Sequence, residues 1–168
     1  MTQRPILKIT PTAFDRFVDG LNILTLAAFI GVTAFYYNQL PKTIPTHFNV
    51  AGEPDAYGDK VSLFLLVGIG IFVFALLRYY QSKPHLYNYS ATITEENAAT
   101  YYTKAMRMMR FLNLTTLVIL FYLQFQTIQT ALGNTEGLGT YFIFAVLIAG
   151  FLPLLFLLPS KKKQRIVK

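Results

Sequence analysis

The residues best suited to chemistry lie in one stretch: His47, Glu53, Asp55 and Asp59 place one imidazole and three carboxylates within thirteen positions. Imidazole nitrogens and carboxylate oxygens are ligands for a divalent cation such as zinc. A histidine near an aspartate is also the smallest acid and base pair. The spacing matches no established ligand motif, and the second histidine, His85, lies beyond a long apolar run. No hydroxyl nucleophile sits in an elbow or beside an oxyanion-type glycine pattern. The chain also has no cysteine, which removes thiolate metal sites, disulfide frameworks and cysteine nucleophiles. The expectation is a non-enzymatic chain with no cofactor and no metal. His47, Glu53 and Asp55 are the candidate ligands if a cation binds, and His47 with Asp55 the candidate pair if catalysis occurs. The structural alternative has His47 and Asp55 bonding each other, or the loop backbone, to lock the segment.

What positions these residues follows from composition. The chain has 168 residues, of which 54% are hydrophobic and only 14% charged, against about a quarter charged in an ordinary soluble domain. Four apolar runs, 21–40, 61–80, 111–132 and 141–158, are each near the roughly 20 residues a helix needs to cross a hydrocarbon core. The fold class expected is an all-α membrane protein, a four-transmembrane-helix bundle at 21–158 with an ordered extracytoplasmic loop. Residues 1–20 form an N-terminal segment with an interfacial helix, and 159–168 a basic tail. Thirteen of the fifteen basic residues fall in the N-terminal segment, the second loop with its flanks, and the tail; the first loop holds only Lys42 and Lys60. The positive-inside rule then puts both termini in the cytoplasm. The N-terminal segment, with Pro5, Pro11, Asp15, Arg16 and Asp19, does not read as a cleavable signal. The net charge of +7 is read as topology and contact with anionic headgroups at the cytoplasmic face, not as a nucleic-acid surface.

Local signals refine the elements. Thr10 followed by Pro11 predicts an N-cap and first helical position. Phe14, Phe17, Val18 and Leu21 then form an apolar face, with Asp15, Arg16 and Asp19 opposite. Thr92 or Thr94 caps a third helix that begins near Glu95 and runs unbroken into the membrane. Its stripe is Ala98, Tyr101, Ala105, Met108 and Leu112, and Lys104, Arg107 and Arg110 reach the headgroups. Gln124, Gln126, Thr127, Gln129 and Thr130 in the third span bond between helices or line a polar cavity. Gly31, Gly68 and Gly70 allow close packing, and Pro153 kinks the fourth span after Gly150. No formal charge lies near a span centre, which argues against ion pumps and proton relays.

The first loop is the most informative segment. Pro41 and Pro45 hold it extended, and Asn49 to Gly58 is rich in turn formers. Ile44, Phe48, Val50 and Tyr57 are expected to pack it onto the bundle as a lid, with Lys60 at the membrane edge. Its residues Leu40, Pro41, Ile44, Pro45, His47, Phe48, Asn49, Gly52, Pro54, Asp55, Gly58 and Lys60 closely resemble the motif LP-x-x-IP-x-HF-N-x-x-G-x-PD-x-x-G-x-K. That motif marks a bacterial membrane domain of unknown function, also found in Sdp-type toxin-immunity proteins. Pro84, His85, Asn88, Tyr89, Thr94, Glu95, Glu96 and Asn97 resemble a second stretch found in short members. Sdp-type proteins protect the toxin producer and can hold a transcriptional repressor at the membrane. They are longer than this chain and carry a further C-terminal membrane region, so those roles are not carried over.

The function expected is interaction or sensing through loop 40–60, with membrane lipids and a protein partner and without nucleic acid. The alternatives are an accessory subunit of a larger membrane complex and a metal-site enzyme using His47 and Asp55.

Overall fold

The computed structural model describes residues 4–157; the basic tail expected at 159–168 lies outside them. Helix α1 spans Ala13–Tyr36 and ends in a 3-10 turn, Tyr37–Gln39. Its cap is Thr12 rather than Thr10. The Thr12 N–H donates to Asp15 Oδ2 at 2.9 Å and the Asp15 N–H to Thr12 Oγ1 at 3.2 Å. This reciprocal box satisfies two orphan amides where a lone Thr10 cap would satisfy one. The lead-in helix expected before residue 21 is continuous with the span, as α1 starts at Ala13 and runs through residue 20 without a break.

The chain then turns extended at Leu40 (φ −76°, ψ 143°), as Pro41 requires of the residue before it. Two antiparallel strands follow, β1 at Thr43–Phe48 and β2 at Pro54–Asp59, in the register Thr43↔Asp59, Ile44↔Gly58, Pro45↔Tyr57, His47↔Ala56 and Phe48↔Pro54. The all-α expectation is corrected here, since the loop is a β-hairpin. Its ladder is irregular between Pro45 and His47 and again before Phe48. A two-stranded ribbon has only edges, so Pro45 and Pro54, which lack an N–H, are tolerated.

Helix α2, Ser62–Gln81, starts straight after the hairpin, and α3, Glu95–Ala131, follows a loop with a 3-10 turn at Pro84–Leu86. Thr94 caps α3: its N–H donates to Asn97 Oδ1 at 2.9 Å. At ~1.5 Å per residue α3 is about 55 Å long, so it projects well beyond a ~30 Å hydrocarbon core. It is the central helix, packed along both α1 and α2. Its buried line runs through Ala98, Tyr102, Ala105, Arg110, Asn113, Leu117, Gln124 and Ile128. Tyr102 is thus the buried tyrosine, where the sequence stripe had placed Tyr101.

Among the described residues three helices, α1 with its 3-10 extension, α2 and α3, are long and apolar enough to cross a membrane. The last apolar run is a ten-residue helix, α4, at Phe142–Phe151, continued by 3-10 turns over Leu152–Leu157. Pro153 has no N–H to donate back into the helix and its ring crowds the preceding turn, which ends α4 there. Ten α-helical residues span only ~15 Å. Of the glycines expected to pack closely, only Gly70 does: a Cβ there would lie 2.5 Å from Phe29 Cε1, while Gly31 and Gly68 face open space.

Candidate functional site

The hairpin is rooted in the helix bundle by apolar burial. Ile44 is fully buried with Leu40, Leu63 and Ile128, and Val32, Tyr36, Ala131 and Leu132 pack around them. Beside this root the Lys60 ammonium donates to the carbonyls of Tyr37 and Leu40 at 3.0 and 3.1 Å and lies 4.7 Å from the Tyr37 ring centre. It therefore neutralises the carbonyl end of α1, where the helix dipole is negative. Asp59, one of the four groups considered for chemistry, accepts from the Val61 N–H at 2.9 Å.

The tip is organised by Asn49. Its backbone N–H donates to the Glu53 carbonyl at 2.8 Å, its Oδ1 accepts from the Glu53 N–H at 3.0 Å, and its Nδ2 donates to Glu53 Oε2 at 3.0 Å. Gly52 closes the turn at φ +84°, a conformation that carries a steric penalty for a residue with a Cβ. Gly58, opposite Ile44, leaves room for Thr46, whose Cγ2 would lie 2.9 Å from a Cβ at that position. His47 Nδ1 and Asp55 Oδ1 are 2.5 Å apart across the ribbon, with side chains 69% and 43% exposed.

The imidazole and the three carboxylates therefore do not converge. Asp55 meets His47, Glu53 meets Asn49, and Asp59 accepts from the Val61 N–H just before α2. Among the described residues no group of three or more acidic, histidine or cysteine side chains could hold a metal. The lid packing expected of the loop is corrected in part. Ile44 is buried and Phe48 half-buried, but Val50 is 82% and Tyr57 61% exposed.

The hairpin tip also docks on the segment after α3, a contact the loop sequence alone does not reveal. The Leu138 N–H donates to the Gly52 carbonyl at 2.7 Å. A Cβ at Gly137 would lie 2.1 Å from Gly52 O, and one at Gly52 would lie 2.8 Å from Gly139 O. Backbone meets backbone here, and glycine at 52 and 137 permits it. The available sequence signal was the three glycines at 133, 137 and 139.

At the opposite end of the helices the structure gathers charges that the sequence reading had turned outward. Arg107 Nε donates to Asp15 Oδ1 at 2.9 Å, Arg110 Nε to Asp19 Oδ1 at 3.1 Å, and Arg78 Nη1 lies 2.7 Å from Asp19 Oδ1. Asp15 and Arg110 are each 3% exposed. Arg107 and Arg110 thus pair with α1 instead of reaching toward headgroups, and Asp15 and Asp19 do not face solvent. Buried Gln81 completes the cluster when its amide oxygen faces the guanidinium groups, 2.8 Å from Arg78 Nη1 and 3.1 Å from Arg110 Nη2.

The second resembling stretch lies nearby. Tyr89 donates to the Pro84 carbonyl at 2.8 Å, Arg4 bonds the carbonyls of His85 and Tyr87, and Asn97 Nδ2 donates to the Thr92 carbonyl at 3.0 Å. Burial raises the Tyr87 and Tyr89 hydroxyls above the usual phenol range, which keeps both as donors.

Within the bundle Gln124, fully buried, donates from Nε2 to Thr33 Oγ1 at 2.8 Å and to the Leu63 carbonyl at 3.3 Å, joining α3 to α1 and α2. Thr127 instead bonds its own helix at Leu123 O, 2.8 Å away.

Three helices among the described residues that are fit to cross a membrane, the first two joined by a β-hairpin, point to a helical membrane protein. Residues 23–71, which run from α1 through the hairpin into α2, match the family described as "Domain of unknown function (DUF1648)". The chain is also 39% identical over 49 residues to an uncharacterized protein of Archaeoglobus fulgidus. That alignment covers 29% of this chain and 27% of the relative, so the chain spans about a quarter of the relative's length. No solved structure matches the chain.

Proposed function

We propose that this is a non-enzymatic membrane protein of the bacterial cytoplasmic membrane, of the immunity-protein-like kind, that meets a protein or peptide partner through the outward face of the hairpin at 40–60. The observation that carries this reading is the division of labour in the hairpin. Each group able to do acid, base or metal chemistry is engaged within the hairpin or at the start of α2, while Val50 and Tyr57 stand out apolar and unburied. Rigid aromatic and aliphatic groups held clear of the surface are what a partner buries as anchors. In this reading both termini are cytoplasmic, the hairpin is outside, and Phe142–Leu157 completes a fourth crossing. Anionic lipids meet the remaining basic residues at the inner face.

Purification of the full chain in mild detergent followed by mass spectrometry tests the partner. A stoichiometric protein lost on Tyr57→Asp, with the fold retained, supports the reading. Its retention by that variant removes the hairpin face from the interaction. Orientation is tested separately in this cysteine-free chain: a membrane-impermeant thiol reagent on intact cells should label Ala56→Cys and spare Lys163→Cys.

A second reading, an accessory subunit of a larger membrane complex, is favoured by the shortness of α4. It leaves an apolar cavity of about 450 Å³ between α3 and α4, walled by Val118, Tyr122, Phe142 and Ala149, into which a partner's helix could pack. Loss of the co-purifying protein on Ala149→Trp, with Tyr57→Asp harmless, would select it.

A further inference from the structure

The hairpin has one open edge, and its register says which groups that edge presents. β1 packs on α3 and pairs with β2, so the far edge of β2 is the free one. In an antiparallel ladder, pairs that exchange both backbone hydrogen bonds alternate with pairs whose N–H and C=O groups point away from each other. The Lys60 N–H donates to the Lys42 carbonyl at 3.0 Å, which makes 42 and 60 a bonded pair. Along the register Thr43↔Asp59, Ile44↔Gly58 and Pro45↔Tyr57, Gly58 is then bonded to Ile44, whereas Asp59 and Tyr57 are not bonded to the residues opposite. Pro45 fits the same phase, since it has no N–H to give Tyr57. The main-chain N–H and C=O of Tyr57 and Asp59 therefore point off the ribbon. Among the described residues no other segment bonds them.

The side chains along this edge carry one sign. From Glu53 to Asp59 there are three carboxylates, Glu53, Asp55 and Asp59, and no lysine or arginine. Lys60, next along the chain, is committed to the carbonyls of Tyr37 and Leu40; Lys42 precedes β1, and His47, on β1, meets Asp55. A second copy of the chain is a poor occupant of such an edge. Two β2 strands laid antiparallel about Tyr57 would put Asp55 opposite Asp59 twice, and like charges directly opposite are destabilising. A strand with Lys or Arg two positions to either side of the residue facing Tyr57 meets the same carboxylates with opposite charge.

We propose that the partner adds a strand to β2: an extended basic segment that pairs with the N–H and C=O groups of Tyr57 and Asp59, lays an apolar residue against Tyr57 and sets its cations against Asp55 and Asp59. In strand addition the main-chain bonds supply affinity and alternate side chains supply selection. The proposal rests on the partner reading above and deepens it by naming the partner's conformation and charge.

The test uses the full chain in lipid nanodiscs with two acetylated and amidated peptides, one repeating Lys-Thr-Val-Thr and one repeating Glu-Thr-Val-Thr. In the free chain, residue-resolved hydrogen exchange should be fast at the Tyr57 and Asp59 amides and slow at Gly58. The lysine peptide should slow Tyr57 and Asp59 saturably, and the glutamate peptide should leave them unchanged. Introducing the α-hydroxy acid analogue of tyrosine at position 57 replaces that N–H with an ester oxygen and keeps the side chain. It should weaken the lysine peptide on the order of tenfold, as loss of one hydrogen bond implies, at an unchanged melting temperature, because that N–H takes no part in the ladder. Binding indifferent to the ester overturns the proposal, as do protection of Tyr57 in the free chain, equal binding of the two peptides, and exchange that neither peptide slows. A co-purifying protein lost on Tyr57→Asp but indifferent to the ester overturns strand addition and leaves the partner reading standing; one retained by Tyr57→Asp overturns both.

Discussion

The two ends of the molecule handle charge in opposite ways. At the hairpin end the ionic contacts are local and wet: His47 with Asp55 eight residues on, Asn49 with Glu53 four on, Asp59 with the Val61 amide two on. At the far end they are long-range and more sheltered, Arg107 with Asp15 across 92 residues and Arg110 with Asp19 across 91. An exposed pair exchanges one set of water contacts for another and gains little. A buried pair has surrendered its hydration, so each member depends on the other. The hairpin's fixed shape must then come from its buried Ile44 root, its glycine turn and its Lys60 clasp. The far end is held by its charges.

The largest effect should come from breaking the sheltered cluster on one side only. Arg110→Met removes the buried partner of Asp19 and leaves it only the half-exposed Arg78, for an expected cost of about 3 kcal/mol, the low end for a broken buried pair, read as a lower melting temperature in detergent. Pairing it with Asp19→Asn should recover much of the loss. Additive losses would show that the two ends do not differ in this way.

A smaller effect is expected at the glycine contact between the hairpin tip and the segment after α3. Gly137→Ala drives a methyl into the Gly52 carbonyl and breaks the Leu138 bond, for about 1–3 kcal/mol. Hydrogen exchange should rise at Asn49 and Gly52 while the helices keep their protection. Unchanged exchange at the tip would mean that the hairpin holds its shape without the second segment.

The smallest effect belongs to the exposed pair. His47→Ala, Asp55→Ala and the double variant should each lie within about 1 kcal/mol of wild type, with the double no worse than the singles, since contacting groups are not additive. Added zinc or chelator should leave the wild-type melting temperature unmoved, because a ligand held only by the folded state would raise it. A zinc-dependent rise lost in His47→Ala would move His47, Glu53 and Asp55 into a metal site and reverse the contrast between the ends.

The sequence by itself determined whatever depends on neighbours along the chain. Apolar runs of membrane length set α1, α2 and α3, because burying backbone in lipid leaves helix as the local solution. Thr94 before Glu95 and Glu96 set the start of α3, and Pro41 stopped the first helix. Asn49, Gly52 and the two prolines marked an ordered loop, and the possible bond between His47 and Asp55 was visible from their spacing. Tertiary structure alone decided that Asp15 and Asp19 turn inward, because their partners arrive from α2 and α3, about sixty to ninety positions later. It decided equally that Val50, in the turn between the strands, and Tyr57 on β2 remain exposed, and that Gly137 makes room for Gly52. A charge or a glycine reads the same in sequence whether it meets water or another segment, and only the packing of distant helices supplies the second party.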